Sequence, residues 1–303
     1  MDEGDIKTGY NVYLYYLVFP VFLAFFLINY YNINFKIETL DINLMISVVT
    51  FLFGFLISIS FGIILSRVGA LKESLAGETG RLVSLYLLSE NLGGKFTDKI
   101  AERIDVYTIN TLRDYTNYHV GRDAIYGMYS DIKYMEIKSK FQEASANSFI
   151  YILGEFEPIR ERLEYLTSGK LLWAMKLANY ILAFLLIGLL FLNRGDIFTN
   201  ALFIILSTTI AFILLIIEDY EDLRIGDYIV NISNSEQLFD LIEKDRYYPQ
   251  AILSRVKLEK GRSYRIGFYD KKAKQEKIVE VKYSPNFGSK INFLRRKMGY
   301  TSN

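Results

Sequence analysis

The stretch Ile42–Leu65, INLMISVVTFLFGFLISISFGIIL, decides the fold. Its 24 residues include no Asp, Glu, Lys or Arg. A helix rises about 1.5 Å per residue, so this length crosses a hydrocarbon core roughly 30 Å thick. Three other stretches have the same character: Asn11–Tyr31, Leu171–Leu192 and Ile197–Ile217, of 21, 22 and 21 residues. Together they exclude an ordinary soluble globule and predict a mainly α, four-span transmembrane bundle.

Charge orients the bundle. Lys and Arg gather on the cytoplasmic side of membrane proteins. The tail before the first stretch carries Lys7, the segment Ser66–Lys170 carries fourteen basic residues, and the tail from Glu218 carries seventeen. The two remaining connections carry only Lys36 and Arg194. Both termini and the central segment are therefore expected in the cytoplasm of a multi-pass cell-membrane protein. The acidic start, Asp2, Glu3 and Asp5, is unlike the basic start of a cleaved signal. The expected organisation is residues 1–66 as tail and spans one and two, 67–170 as a cytoplasmic helical region, 171–217 as spans three and four, and 218–303 as a cytoplasmic C-terminal region.

The cytoplasmic parts have their own patterns. Lys72–Asn91 repeats apolar residues at helical spacing, and Gly93-Gly94 ends it. A second helix starts near Phe96, with Ile100, Ile104 and Tyr107 on one face, and a third is expected over Ser130–Leu166, disturbed at Pro158. These lengths suggest helices that extend the membrane bundle or, alternatively, a separate helical domain. Ser263–Asp270 and Glu276–Ser284 alternate apolar with polar residues, and the basic turn Lys271–Gln275 joins them as a β-hairpin. The tail also divides by charge: Glu218–Asp245 is net −7 and Arg246–Asn303 net +11. The basic end can meet anionic lipid or dock on the acidic stretch of its own or a neighbouring subunit, and docking is favoured. No nucleic-acid-binding module accompanies the charge.

Function classes narrow quickly. The chain has no Cys and one His, His119. Thiolate chemistry and multi-histidine metal sites within one chain are excluded, and no phosphate-binding glycine loop or nucleophile elbow occurs. No enzyme and no required cofactor are expected.

The second stretch carries the functional pattern. At about 100° per residue, Ser47, Thr50, Phe51, Gly54, Ser58, Phe61 and Gly62 share an arc of roughly 120°. Small residues in lipid serve either as a helix-packing seam or as a lining that lets water and ions pass. Phe51 and Phe61 favour the second, because a ring of such side chains makes a hydrophobic neck that gates by dewetting. Aromatic edges also meet anions favourably. The only charge well inside a span, Lys176, is expected to snorkel to the interface. Glu218, Asp219, Glu221 and Asp222 close the fourth span, against the helix dipole. They read as a solvated acidic turn or, alternatively, as a cation site for an ion such as Ca²⁺, which takes oxygen ligands.

The order of elements resembles the bestrophin-like membrane family, a prokaryotic and plant group distantly related to bestrophin anion channels. The resemblance runs over roughly 10–241 and rests on three segments. RVGALKESLAGETGRLVSLYLLSE places Glu78 at the family's acidic position; RIDVYTINTLRDY, Arg103–Tyr115, is similar to its following helix; RERLEYLTSGKLLWAMKL, Arg160–Leu177, is similar to its approach to the third span. The acidic run superficially resembles the calcium clasp of true bestrophins. The resemblance implies a homopentamer in a lipid bilayer, an ion channel whose second spans surround a pathway for inorganic anions such as chloride, and a neck formed by Phe51, Ser58 and Phe61. The alternative is a non-conducting scaffold or sensor whose charged tail recruits a partner.

Overall fold

The computed structural model describes residues 12–31, 41–113, 121–221, 227–253, 256–270, 275–283 and 291. The described chain is mainly helical, with one small sheet. It divides into two compact units.

The first unit spans 9–70 and 169–227. It contains α1 (Val12–Tyr31), the first part of α2 (Ile42–Glu90), α7 (Trp173–Leu192) and α8 (Ile197–Glu221). Three helices here, α2, α7 and α8, are long and apolar enough to cross a membrane, consistent with a membrane protein. In α1 the stretch Leu17–Tyr31 forms a shorter apolar helix. The tight turn between α7 and α8 is fixed by capping: Asp196 Oδ1 accepts from the Thr199 backbone N–H at 2.9 Å. Phe203 of α8 meets Phe25 of α1 and Phe191 of α7 edge to face, with centroids 5.7 and 5.8 Å apart. Asn179 of α7 donates to Ser60 of α2 at 2.8 Å, both side chains buried.

The second unit spans 71–168 and 228–303. It holds the rest of α2, then α3 (Gly94–Arg113), α4 (Arg122–Lys133), α5 (Lys140–Gly154), α6 (Phe156–Ser168) and α9 (Asp227–Leu241). The third cytoplasmic helix expected over Ser130–Leu166 is thus corrected to parts of three helices. Ser139 caps α5 by accepting from the Gln142 N–H at 3.2 Å. Pro158 does not disturb a long helix; it lies in the first turn of α6, where a missing N–H costs no intrahelical bond. Leu85, Ile100, Ile104, Met128, Phe149 and Phe239 are fully buried in one shared core.

The sheet runs β1 (Arg246–Pro249), β2 (Ser263–Asp270) and β3 (Gln275–Lys282), in that order. β2 and β3 form the expected antiparallel hairpin, and the joining residues 271–274 lie outside the described residues. β1 adds a parallel edge strand that sequence alternation does not announce. Its last residue is Pro249, which an edge tolerates. Tyr264, Ile266 and Phe268 of β2 share one buried face, as period-two alternation requires. Arg265 points the other way and donates to Asp105 of α3 at 2.5 and 2.7 Å.

Candidate functional site

The membrane part of α2 carries three faces. Val49, Phe53, Ile57, Ser60, Ile64 and Val68 are buried against the chain's own helices. Leu44, Met45, Val48, Leu52, Phe55, Ile59 and Ile63 are exposed and uniformly bulky. Between these sets lies the weakly polar stripe. Ser47, Thr50, Phe51, Gly54, Ser58 and Gly62 are exposed, and Phe61 is half-buried. At about 100° per residue each set takes an arc of roughly 100–120°. Phe51 is 71% exposed where Phe53, two residues on, is 6%. A Cβ added at Gly54 or Gly62 would meet nothing within 4 Å.

This geometry decides one point about the stripe. It is not the seam by which α2 packs within its own chain, since that seam is the neighbouring face. Nor does it resemble the uniformly bulky apolar face, which suits lipid tails. The two serine hydroxyls are satisfied locally: Ser47 Oγ donates to the Asn43 carbonyl at 2.9 Å and Ser58 Oγ to the Gly54 carbonyl at 2.8 Å. The stripe therefore presents weak dipoles and aromatic rings, with no net charge.

The acidic end of α8 is not a solvated turn. Asp219 and Glu221 are buried, and Asp222 lies outside the described residues. Lys176 places its Nζ 2.5 Å from Glu221 Oε2 and 3.2 Å from Glu218 Oε2. Tyr180 donates its hydroxyl to Glu218 Oε1. Glu221 Oε1 accepts the Leu171 N–H at 3.0 Å, and its carbonyl accepts from Arg67 Nη1 at 3.1 Å. The helix dipole is thus offset by a lysine from the preceding helix and an arginine from α2. Lys176, expected to snorkel toward the interface, ends in this cluster. Among the described residues no group of three or more His, Asp or Glu side chains is arranged to hold a metal ion.

Glu78 belongs to the second unit. It is buried, accepts the Tyr107 hydroxyl, and lies 3.0 Å from Arg160 Nη1. The three side chains join α2, α3 and α6. Burial pushes the Tyr107 phenol well above its ordinary range; Glu78 pushes the same way and Arg160 opposes. Tyr107 therefore stays a proton donor to a carboxylate. Sequence reading found Glu78 but not its partners, which lie 29 and 82 residues away.

Part of the basic end does dock on the acidic stretch within this unit. Arg246 reaches Asp240 Oδ2 at 2.6 Å and Glu236 Oε2 at 3.1 Å, and Arg262 also pairs with Asp240. Lys290, Arg295, Arg296 and Lys297 lie outside the described residues.

No protein-family model, no curated protein and no solved structure matches this chain.

Proposed function

We propose that this chain is one subunit of an oligomeric, bestrophin-like ion channel selective for anions such as chloride. In this reading α1, α2, α7 and α8 all span the membrane, both termini lie in the cytoplasm, and a homopentamer arranges the α2 stripes around a central pathway. One observation carries the reading: α2 keeps a small, weakly polar and aromatic face that its own chain does not cover, separate from a bulky face suited to lipid.

The chemistry follows from what lines that face. Phe51 and Phe61 stand ten residues apart, about 15 Å along the helix. Rings of such side chains around an axis form a neck that an anion passes by shedding part of its water. The positive ring edges favour an anion over a cation. Gly54, between the two rings, and Gly62, just past Phe61, leave room on this face. The acidic cluster at the end of α8 joins α2 through Arg67 and α7 through Lys176, so it can carry changes at the cytoplasmic surface to the neck helix. Chloride flux from liposomes containing the purified protein tests the proposal.

A further inference from the structure

The outward face of α2 in the second unit belongs to none of this. Leu71, Leu75, Glu78, Leu82, Leu85 and Ser89 are buried within the chain. Opposite them, Ala76, Gly80, Val83 and Leu87 fall within an arc of about 60°. Ala76, Gly80 and Leu87 are exposed, Val83 is half-buried, and a Cβ added at Gly80 would meet nothing within 4 Å. Between Glu73 and Glu90 the helix holds only two charged residues, Glu78 and Arg81. Glu78 is buried, and Arg81 turns aside to Glu155 at 3.3 Å. Thr79 and Ser84 fold their hydroxyls back onto the Leu75 and Gly80 carbonyls, at 3.1 and 2.9 Å. A helix face that ends in water carries charge opposite the core. This one carries a seam of small and aliphatic side chains over roughly three turns.

Two further observations say what covers it. Gly69, Ala76 and Val83 recur at seven-residue intervals in α2. Such a repeat stays on one face where helices wind left-handedly around one another, so the occupant is a helix. The other observation is charge. Lys72 and Glu73, both exposed, stand about 100° apart on opposite sides of the seam. Lys72 makes no ion pair among the described residues. Glu73 meets only Arg162, at 3.7 Å and with both side chains more than half exposed. When parallel copies of a chain surround an axis, one side of each helix meets the opposite side of the next. Lys72 of one subunit then faces the neighbour's Glu73.

From this arrangement we infer that this part of α2 docks on the same part of α2 in a second copy of the chain, through Ala76, Gly80 and Leu87, with Lys72 against the neighbour's Glu73. Small residues let the two backbones approach closely. Exposed ion pairs add little energy, so the uncharged seam holds the contact and the charges set its direction and register. A contact of like sides would oppose Lys72 to Lys72. The docking rests on the oligomeric reading above and gives it a named interface.

The chain has no cysteine, so single cysteines report this contact without background. Full chains carrying Lys72→Cys or Glu73→Cys, told apart by tags, are co-expressed, purified in detergent and oxidised. The mixture is expected to give a disulfide-linked pair with one chain of each kind, and either variant alone at least tenfold less. Gly80→Leu added to both chains should reduce the linked pair at least tenfold and leave helical content by circular dichroism unchanged. Light scattering of the same samples gives the subunit number. Oligomers with no mixed link, with equal linking in either variant alone, or with linking unchanged by Gly80→Leu would overturn this contact and leave the channel reading standing. Monomeric protein would overturn both.

Discussion

The ammonium of Lys176 on α7 lies 2.5 Å from a carboxylate oxygen of Glu221, whose side chain is wholly buried at the end of α8. Removing one partner of a buried pair costs about 3–5 kcal/mol, because the other charge stays buried without compensation. Lys176 is itself partly exposed, so Lys176→Met is expected near the lower end, about 3 kcal/mol. Lys176→Arg should retain most of the stability. Glu218→Gln should cost under 1 kcal/mol, since Glu218 is more exposed and its partner keeps Glu221. Thermal unfolding of the protein in detergent ranks the three variants.

A second prediction concerns alkaline pH. The folded phenol of Tyr107 ionises above its unfolded value of 10.0. Its contribution is therefore complete below pH 10 and is lost as pH rises beyond that through the raised folded value. Tyr107→Phe should cost about 1–3 kcal/mol at neutral pH, because Glu78 loses a donor. It should also flatten the fall in stability above pH 10. Unfolding curves at pH 8, 10 and 11 measure both effects.

The sheet offers a third. Asp240 is held below its ordinary 3.8, first by the hydrogen bond from Arg246, against burial, with Arg262 assisting. Its contribution is present above that value and lost as pH falls through the lowered one. Asp240→Asn should remove this acid dependence and lower neutral stability by the same small amount, under about 1 kcal/mol because the group is partly exposed. Arg265→Gln should do more, since the bidentate pair with Asp105 joins β2 to α3. Hydrogen exchange in β2 and α3 should quicken in Arg265→Gln and stay near wild type in Asp240→Asn at pH 7.

The faces of α2 predict opposite kinds of damage. Ile57→Ala empties a buried position and should cost about 2–5 kcal/mol. Gly54→Leu enters open space within the chain and should leave folding intact. On the channel reading it narrows the pathway and lowers chloride flux severalfold. Pairing unfolding with flux measurements for both variants separates the seam from the lining.

What the sequence disclosed, and what it hid, follows the range of the interactions. The apolar helices α2, α7 and α8 were legible because span length and hydropathy are local. The β2–β3 hairpin was legible because alternation is local too. β1 was hidden because RYYP is too short to alternate. The three helices α4 to α6 merged into one because a capping serine and a first-turn proline leave the apolar periodicity nearly continuous. At the site, the stripe of α2 was visible by angle alone. The burial that separates it from the packing seam was not, since Phe51 and Phe53 are the same residue. Lys176 and the acidic run each stand out in the sequence, but 42 residues separate Lys176 from Glu218. The hairpin could have joined them: Lys176 lies 16 residues before the end of α7 and Glu218 lies 21 after the start of α8. That stagger of five residues is about 7.5 Å, within reach of two long side chains. Arg160 and Tyr107 gave no such signal.

The central claim is that the exposed face of α2 lines an ion pathway with a neck at Phe51 and Phe61. The most direct measurement is chloride flux from liposomes containing purified wild-type protein or the Phe51→Ala, Phe61→Ala double variant. The account predicts chloride flux in the wild type and a severalfold rise in the double variant. Absence of flux in both, from protein shown to be folded and oligomeric in the bilayer, would contradict it.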